Sequence, residues 1–168
     1  EAAEVFRNLV DDSIRGEEER RTLESWHLAC LANDPDRQGE AAEYCRRLLS
    51  VGPTHFRAIA WAVARKFDID LSESEAALTS LVAEGRAEVP HILALLSIYL
   101  EGGRPTQALT LLLNAKIQFG SKGAQDLWSF WYAQSLVLAG DPQGAISEAD
   151  ALGSAPGAQH IRTTALRS

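Results

Sequence analysis

The sequence predicts an all-α fold: an α-solenoid of stacked antiparallel helical hairpins, about four of them, with flanking helices. Three observations point there. First, Ala (26) and Leu (22) dominate while Val (7) and Ile (8) are few, which suits helices and starves strands of β-branched residues. Second, helix-start chemistry recurs every 14 to 20 residues. Third, Gly52, Gly85, Gly120 and Gly153 stand where helices should stop, spaced 33, 35 and 33 residues apart. A period near 34 with two helices per unit is a repeat signature, because each hairpin needs a neighbour to bury its apolar face.

The elements follow in order. Helices are expected near 2–15, 17–33, 36–51, 54–67, 72–84, 88–101, 105–119, 122–139 and 142–152, with a weaker one at 156–166. The first has Phe6, Leu9 and Val10 on one face. The second opens on Glu17, Glu18 and Glu19, acids at a positive helix start, with Arg20 and Arg21 behind them. Asp34-Pro35 sets an N-cap before a first-turn proline. Thr54 follows Pro53, and Ser72 with Glu75 makes a capping box. Val89-Pro90 and Arg104-Pro105 place proline in first turns, Ser121 caps the next helix, and Asp141-Pro142 repeats the Asp-Pro device. Ala155-Pro156 opens the tail helix. Inside the elements, Ile92, Leu95, Leu96, Tyr99 and Leu100 form one helical stripe, and Leu109, Leu112, Leu113 and Ile117 another. Ala41, Ala76, Ala108 and Ala145 lie about one turn into each second helix, where a small side chain lets helices approach closely.

On these residues the chain resembles the tetratricopeptide-repeat family, over roughly 17–153. The stretch 87–120 carries the likeness best, through Tyr99, Gly103, Ala108, Ala115 and Gly120. Gly140, Ala145 and Ile146 carry it in 121–153, and Ala41 and Pro53 in 17–53. The unit 54–86 keeps Phe67, Ala76 and Ala83 but has Asp68-Ile69-Asp70 where a turn glycine is expected. The repeat domain then covers 1–153, with 1–16 as a flanking helix resembling the second half of a preceding repeat, and 154–168 as a frayed tail or a capping helix. That helix and the absence of Met suggest a piece cut from a longer array.

The resemblance implies a non-catalytic scaffold that binds a peptide or helix of a partner in a concave groove lined by the first helix of each hairpin. Trp26, Trp61, Leu93 and Phe130 occupy equivalent places there. Leu23, His27, Cys30, Ala58, Arg65, Ser97, Leu127 and Gln134 surround them. Large apolar side chains in a groove anchor peptides. Core packing explains the same aromatics if the register shifts by one, and of Trp128 and Trp131, three apart, at least one is expected inside. A carboxylate clamp built on lysines is not expected from three Lys, although Arg57 and Arg65 remain to meet a single acid. Self-association through uncovered end helices is the alternative.

Other functions find little support. The net charge is −7, with 12 acids against 7 bases in the first 53 residues and 11 against 9 in the rest. Nucleic acid and anionic membranes are therefore poor partners. No apolar run reaches the length of a membrane span, and no targeting segment is visible, so a cytoplasmic setting is expected. Cys30 and Cys45 form no disulfide framework. His27, Cys30 and Cys45 lack the spacing of a metal site. Gly120-Ser121-Lys122-Gly123 lacks the order of a phosphate loop and reads as a turn. No enzyme, metal or cofactor is expected.

Overall fold

The computed structural model describes residues 2–5, 17–153 and 157–167. Among them, Ala2–Val5 are helical, and nine further α-helices follow. These are α1 (Glu17–Asn33), α2 (Gln38–Val51), α3 (Phe56–Ala64), α4 (Ser72–Ala83), α5 (Val89–Glu101), α6 (Pro105–Asn114), α7 (Lys122–Leu138), α8 (Pro142–Leu152) and α9 (Ala158–Ala165). Short 3-10 turns stand at Pro35–Arg37 and Lys116–Gln118. No strand occurs among the described residues, so the fold is all-α. Phe6, Leu9, Val10 and the Ala155-Pro156 start lie outside them.

The chain divides into two compact units, 1–80 and 81–168, with the boundary inside α4. In the first unit α2 packs on α1 and on α3, and α1 also meets α3, the pattern of a hairpin followed by the first helix of the next. In the second, α5, α6, α7 and α8 pack in succession, and α9 lies on both α7 and α8.

Helix starts follow the expected chemistry with two changes. Asp34 accepts from the Asp36 amide at 3.1 Å, Ser121 from Ala124 at 3.3 Å and Asp141 from Gly144 at 2.9 Å. Thr54 is not the cap of α3. That place is taken by His55, whose Nδ1 accepts from the Ala58 amide at 3.3 Å. Ser72 is not an N-cap either: it already lies inside α4, and its amide donates to Asp70 Oδ1 at 2.9 Å. Hydrogen bonds from Ser72 hold the Asp70 carboxyl below its ordinary range. A capping box forms instead at α5, between Glu88 and His91.

His55 gives the first unit an acid-sensitive contact. Burial pushes its pKa below the ordinary 6.5; Arg57 and Arg21 push the same way, while its own backbone hydrogen bond and Glu24 oppose them. The folded chain thus binds this proton less well than the unfolded chain. The stabilisation is complete above about 6.5 and is lost as pH falls from there through the lower folded value. Thermal midpoints measured between pH 7 and pH 5 should fall more for the wild type than for His55→Asn, which keeps a good cap without the titration. Parallel curves would remove His55 from the account.

The end of α3 departs most from expectation. α3 ends at Ala64, short of the expected 67, and Lys66 has φ +53. Its amide donates to Val63 O at 3.1 Å and the Phe67 amide to Ala62 O at 2.9 Å. The same pair of bonds closes α5 at Gly103 and α7 at Gly140. Lys66 is therefore the residue standing in a glycine's conformation, two positions before the Asp68-Ile69-Asp70 stretch where the missing glycine was sought. Lys66→Gly should raise stability by about 0.5–1 kcal/mol, the relief of a left-handed side chain less the entropy glycine adds to the unfolded chain. Denaturant unfolding checks this, and a loss of stability would refute it.

Beyond that turn α3 and α4 are not closely paired. Ala76 is exposed, whereas Ala41, Ala108 and Ala145 are fully buried, each the fourth residue of its helix. In α4 the fourth residue is Glu75, so the small residue falls off the packing face. The α6 stripe is also turned from the expected one: Leu113 and Ile117 are exposed, and Ala108, Leu111, Leu112, Ala115 and Phe119 form the buried side. Two alanines on that side let α6 approach its neighbours closely.

The tail is a capping helix. Ile161 and Ala165 of α9 close over Ala133, Val137, Ala145 and Ala149, with Phe130, Leu136, Ile146 and Leu152 around them, and Ala158 is buried as well. Arg162 Nη2 donates to Ala149 O at 3.0 Å and its Nε to Asp150 Oδ1 at 2.9 Å, satisfying the open end of α8.

Candidate functional site

The first unit presents one face on which polar, aromatic and cationic side chains converge. α1 shows Thr22, Trp26 and Asn33 to solvent, with Ala29 and Cys30 half-buried between them. α3 and its C-cap show Arg57, Ala64 and Arg65, with Trp61 half-buried between them. These spacings of three and four residues place each set on one side of its helix.

Side-chain bonds lock the two stripes together. Arg57 Nη1 donates to Ser25 Oγ. Arg65 Nη2 donates to Asn33 Oδ1 at 2.5 Å. Both pairs join residues 32 apart, so α1 and α3 run parallel in one register. The same offset sets the small Ala29 opposite Trp61. The Arg65 guanidinium lies 5.4 Å from the Trp61 ring centre, and that of Arg57 lies 5.4 Å from the Phe56 ring. Trp26, one turn before Cys30, is 58% exposed, an unusual place for the largest apolar side chain. Beside this face, Ala2, Ala3, Cys30, Asn33, Asp34, Pro35 and Arg37 line a shallow hollow.

The expected groove residues separate on this geometry. Trp26, Trp61 and Arg65 share the α1–α3 face. His27 does not: it is buried, its Nδ1 donates to Ala3 O at 2.7 Å, and its ring meets Tyr44 edge-on at 4.7 Å. One residue's turn from Trp26 carries it from the surface into the contact between α1 and α2. Leu23 and Ala58 are buried too. In the second unit Leu93 is half-buried on α5. Phe130 is half-buried on α7 and packs against the cluster that α9 joins. A Cβ added at Gly157 would come within 2.6 Å of its ring. Gln134 is half-buried on α7 and its Oε1 is enclosed. Trp128 is the buried member of its pair, and Trp131 is half-buried with its ring edge-on to Phe130 at 5.3 Å.

Ser25 and Asn33 were not singled out from the sequence, although both tie α3 to α1. Their only signal is the constant spacing to Arg57 and Arg65, which means nothing until the two helices are known to be parallel.

Chemistry of other kinds finds no matching cluster. Among the described residues no group of three His, Cys, Asp or Glu is placed to hold a metal ion. Burial pushes the Cys45 thiol up to about 12, with Arg46 a minor opposing influence, so Cys45 stays protonated and unreactive at neutral pH. No described helix is long and apolar enough to cross a membrane.

No family model matches the chain, and no curated protein or solved structure matches it.

Proposed function

We propose that this chain is a tetratricopeptide-like, non-catalytic module that binds a peptide or helix of a partner protein on the α1–α3 face. The observation that carries the reading is Trp26, 58% exposed beside Trp61 on two parallel helices fixed to each other by side-chain bonds. A rigid pair of helices loses little freedom on binding, and exposed Trp is a common energetic anchor of interfaces.

The test is capture of partners from the native host with the full chain and with a Trp26→Ala/Trp61→Ala variant. Trp26→Ala alone should change stability by no more than about 0.5 kcal/mol, as expected of an exposed position. The double variant should keep its helical circular dichroism and lose the partner. A partner retained by a folded double variant would place binding elsewhere.

A self-association reading is favoured by a different observation. Leu113 (55% exposed) and Ile117 (86% exposed) stand one turn apart on the second unit, and paired apolar side chains in water favour contact with another surface. Sedimentation should show a concentration-dependent dimer weakened by Ile117→Lys. A monomer at all concentrations would dismiss this reading.

A further inference from the structure

We infer that the α1–α3 face takes an internal acidic segment of its partner, in which two carboxylates bracket an apolar side chain; the inference rests on the binding role proposed above. Its basis is how the arginines of this acidic chain are partnered. Arg20, Arg37, Arg46, Arg86 and Arg162 each pair with a carboxylate of the chain. Among the described residues, neither Arg57 nor Arg65 pairs with a carboxylate. Arg57 donates to the Ser25 hydroxyl and Arg65 to the Asn33 amide oxygen, and each otherwise lies by an aromatic ring. Glu24, the acid beside Ser25, pairs with Arg20 at 3.8 Å.

Neutral acceptors orient a guanidinium without neutralising it. Each fork retains donors for a carboxylate, the geometry Arg matches best. Both side chains are exposed, so an incoming acid needs no buried approach. Arg65 is the C-cap of α3, eight residues beyond Arg57, about 12 Å along the helix axis. An extended peptide covers that distance in about four residues. Between the two cations sit Trp61 and, across from it, the small Ala29, with Trp26 alongside. A carboxylate at each end and an apolar side chain in the middle complement this order of groups. A single chain-end carboxylate would satisfy one arginine and leave the other.

The experiment is a fluorescence anisotropy titration of the full chain with the labelled peptide Gly-Ser-Glu-Ala-Leu-Ala-Glu-Ser-Gly, acetylated and amidated. The expected result is saturable binding that weakens as salt rises. Replacing both Glu by Gln in the peptide, or using the Arg57→Gln/Arg65→Gln chain, should weaken it at least tenfold. Arg57→Lys/Arg65→Lys should lose less than the Gln pair. The Gln peptide leaves the protein untouched, so the result does not depend on a variant folding.

Equal binding of the Glu and Gln peptides overturns the inference, as does no binding of the Glu peptide at millimolar concentration. Preference for a free carboxyl end over the amidated form would make the ligand a chain terminus and overturn it as well. So would a dimer dissolved by the arginine substitutions, which would make a second copy the occupant. If host capture depends on Trp26 and Trp61 but not on Arg57 and Arg65, the binding face stands and the acidic ligand falls. If capture depends on none of them, the binding role itself falls.

Discussion

Trp128→Ala should destabilise the second unit by about 3–5 kcal/mol, the range for removing a large buried aromatic. Trp128 is 5% exposed and joins three elements. Its ring stacks on Tyr132 at 4.8 Å, one turn along α7. Lys116, in the 3-10 turn after α6, places its ammonium 4.4 Å from the ring centre. Its indole N–H donates to Leu112 O at 2.7 Å. Leu112 lies in the last turn of α6, where carbonyls lack partners within the helix. Truncation therefore opens a cavity and also leaves a buried acceptor without its donor. Trp128→Phe separates the two effects: it keeps most of the ring and loses the bond, at about 1–3 kcal/mol. Urea unfolding of both variants gives the comparison. A Trp128→Ala cost below that of Trp128→Phe would show that packing is not what Trp128 supplies.

Gly157→Ala should release α9 from the second unit, at about 2–5 kcal/mol. Two costs combine. Gly157 has φ +94, a conformation in which any Cβ is strained by about 1–2 kcal/mol. The added methyl would also meet Phe130 at 2.6 Å, and crowding a packed ring costs about 1–3 kcal/mol more. Gly140→Ala is the control, since Gly140 has φ +83 but nothing within 4 Å of an added Cβ. It should show the backbone strain alone. Hydrogen exchange at Ile161 and Ala165 reads the release directly. If the two variants cost the same, Phe130 does not constrain the start of α9.

The α1–α3 face and the core were legible to different degrees, and Trp26 and His27 show why. They are adjacent in sequence, and both suited a groove by spacing. Only the placement of α2 against α1, with Tyr44 at the contact, sends His27 inward and leaves Trp26 outside. A helical repeat pattern defines which residues share a face. It does not define which face meets a neighbour to within one residue. The surroundings of Phe130 were hidden for another reason. The helix α9 that packs beside it lies in a stretch that composition left open between a frayed end and a cap.

What the sequence by itself determined is the helical class and most helix starts. Asp34, Ser121 and Asp141 each act on an amide two or three residues ahead, so their chemistry is complete within a few neighbouring residues. Helix ends and faces were decided by tertiary structure. The carbonyl of Ala32 at the end of α1 is met by Gln38, six residues on. Those of Leu112 and Ala149 are met by Trp128 and Arg162, 16 and 13 residues on. The side chain that completes a helix end is therefore chosen by which helix packs beside it. For the same reason the Ser25–Arg57 and Asn33–Arg65 bonds exist only once α1 and α3 lie parallel. Local hydrogen bonds start these helices, and long-range contacts decide where they stop and what they show to a partner.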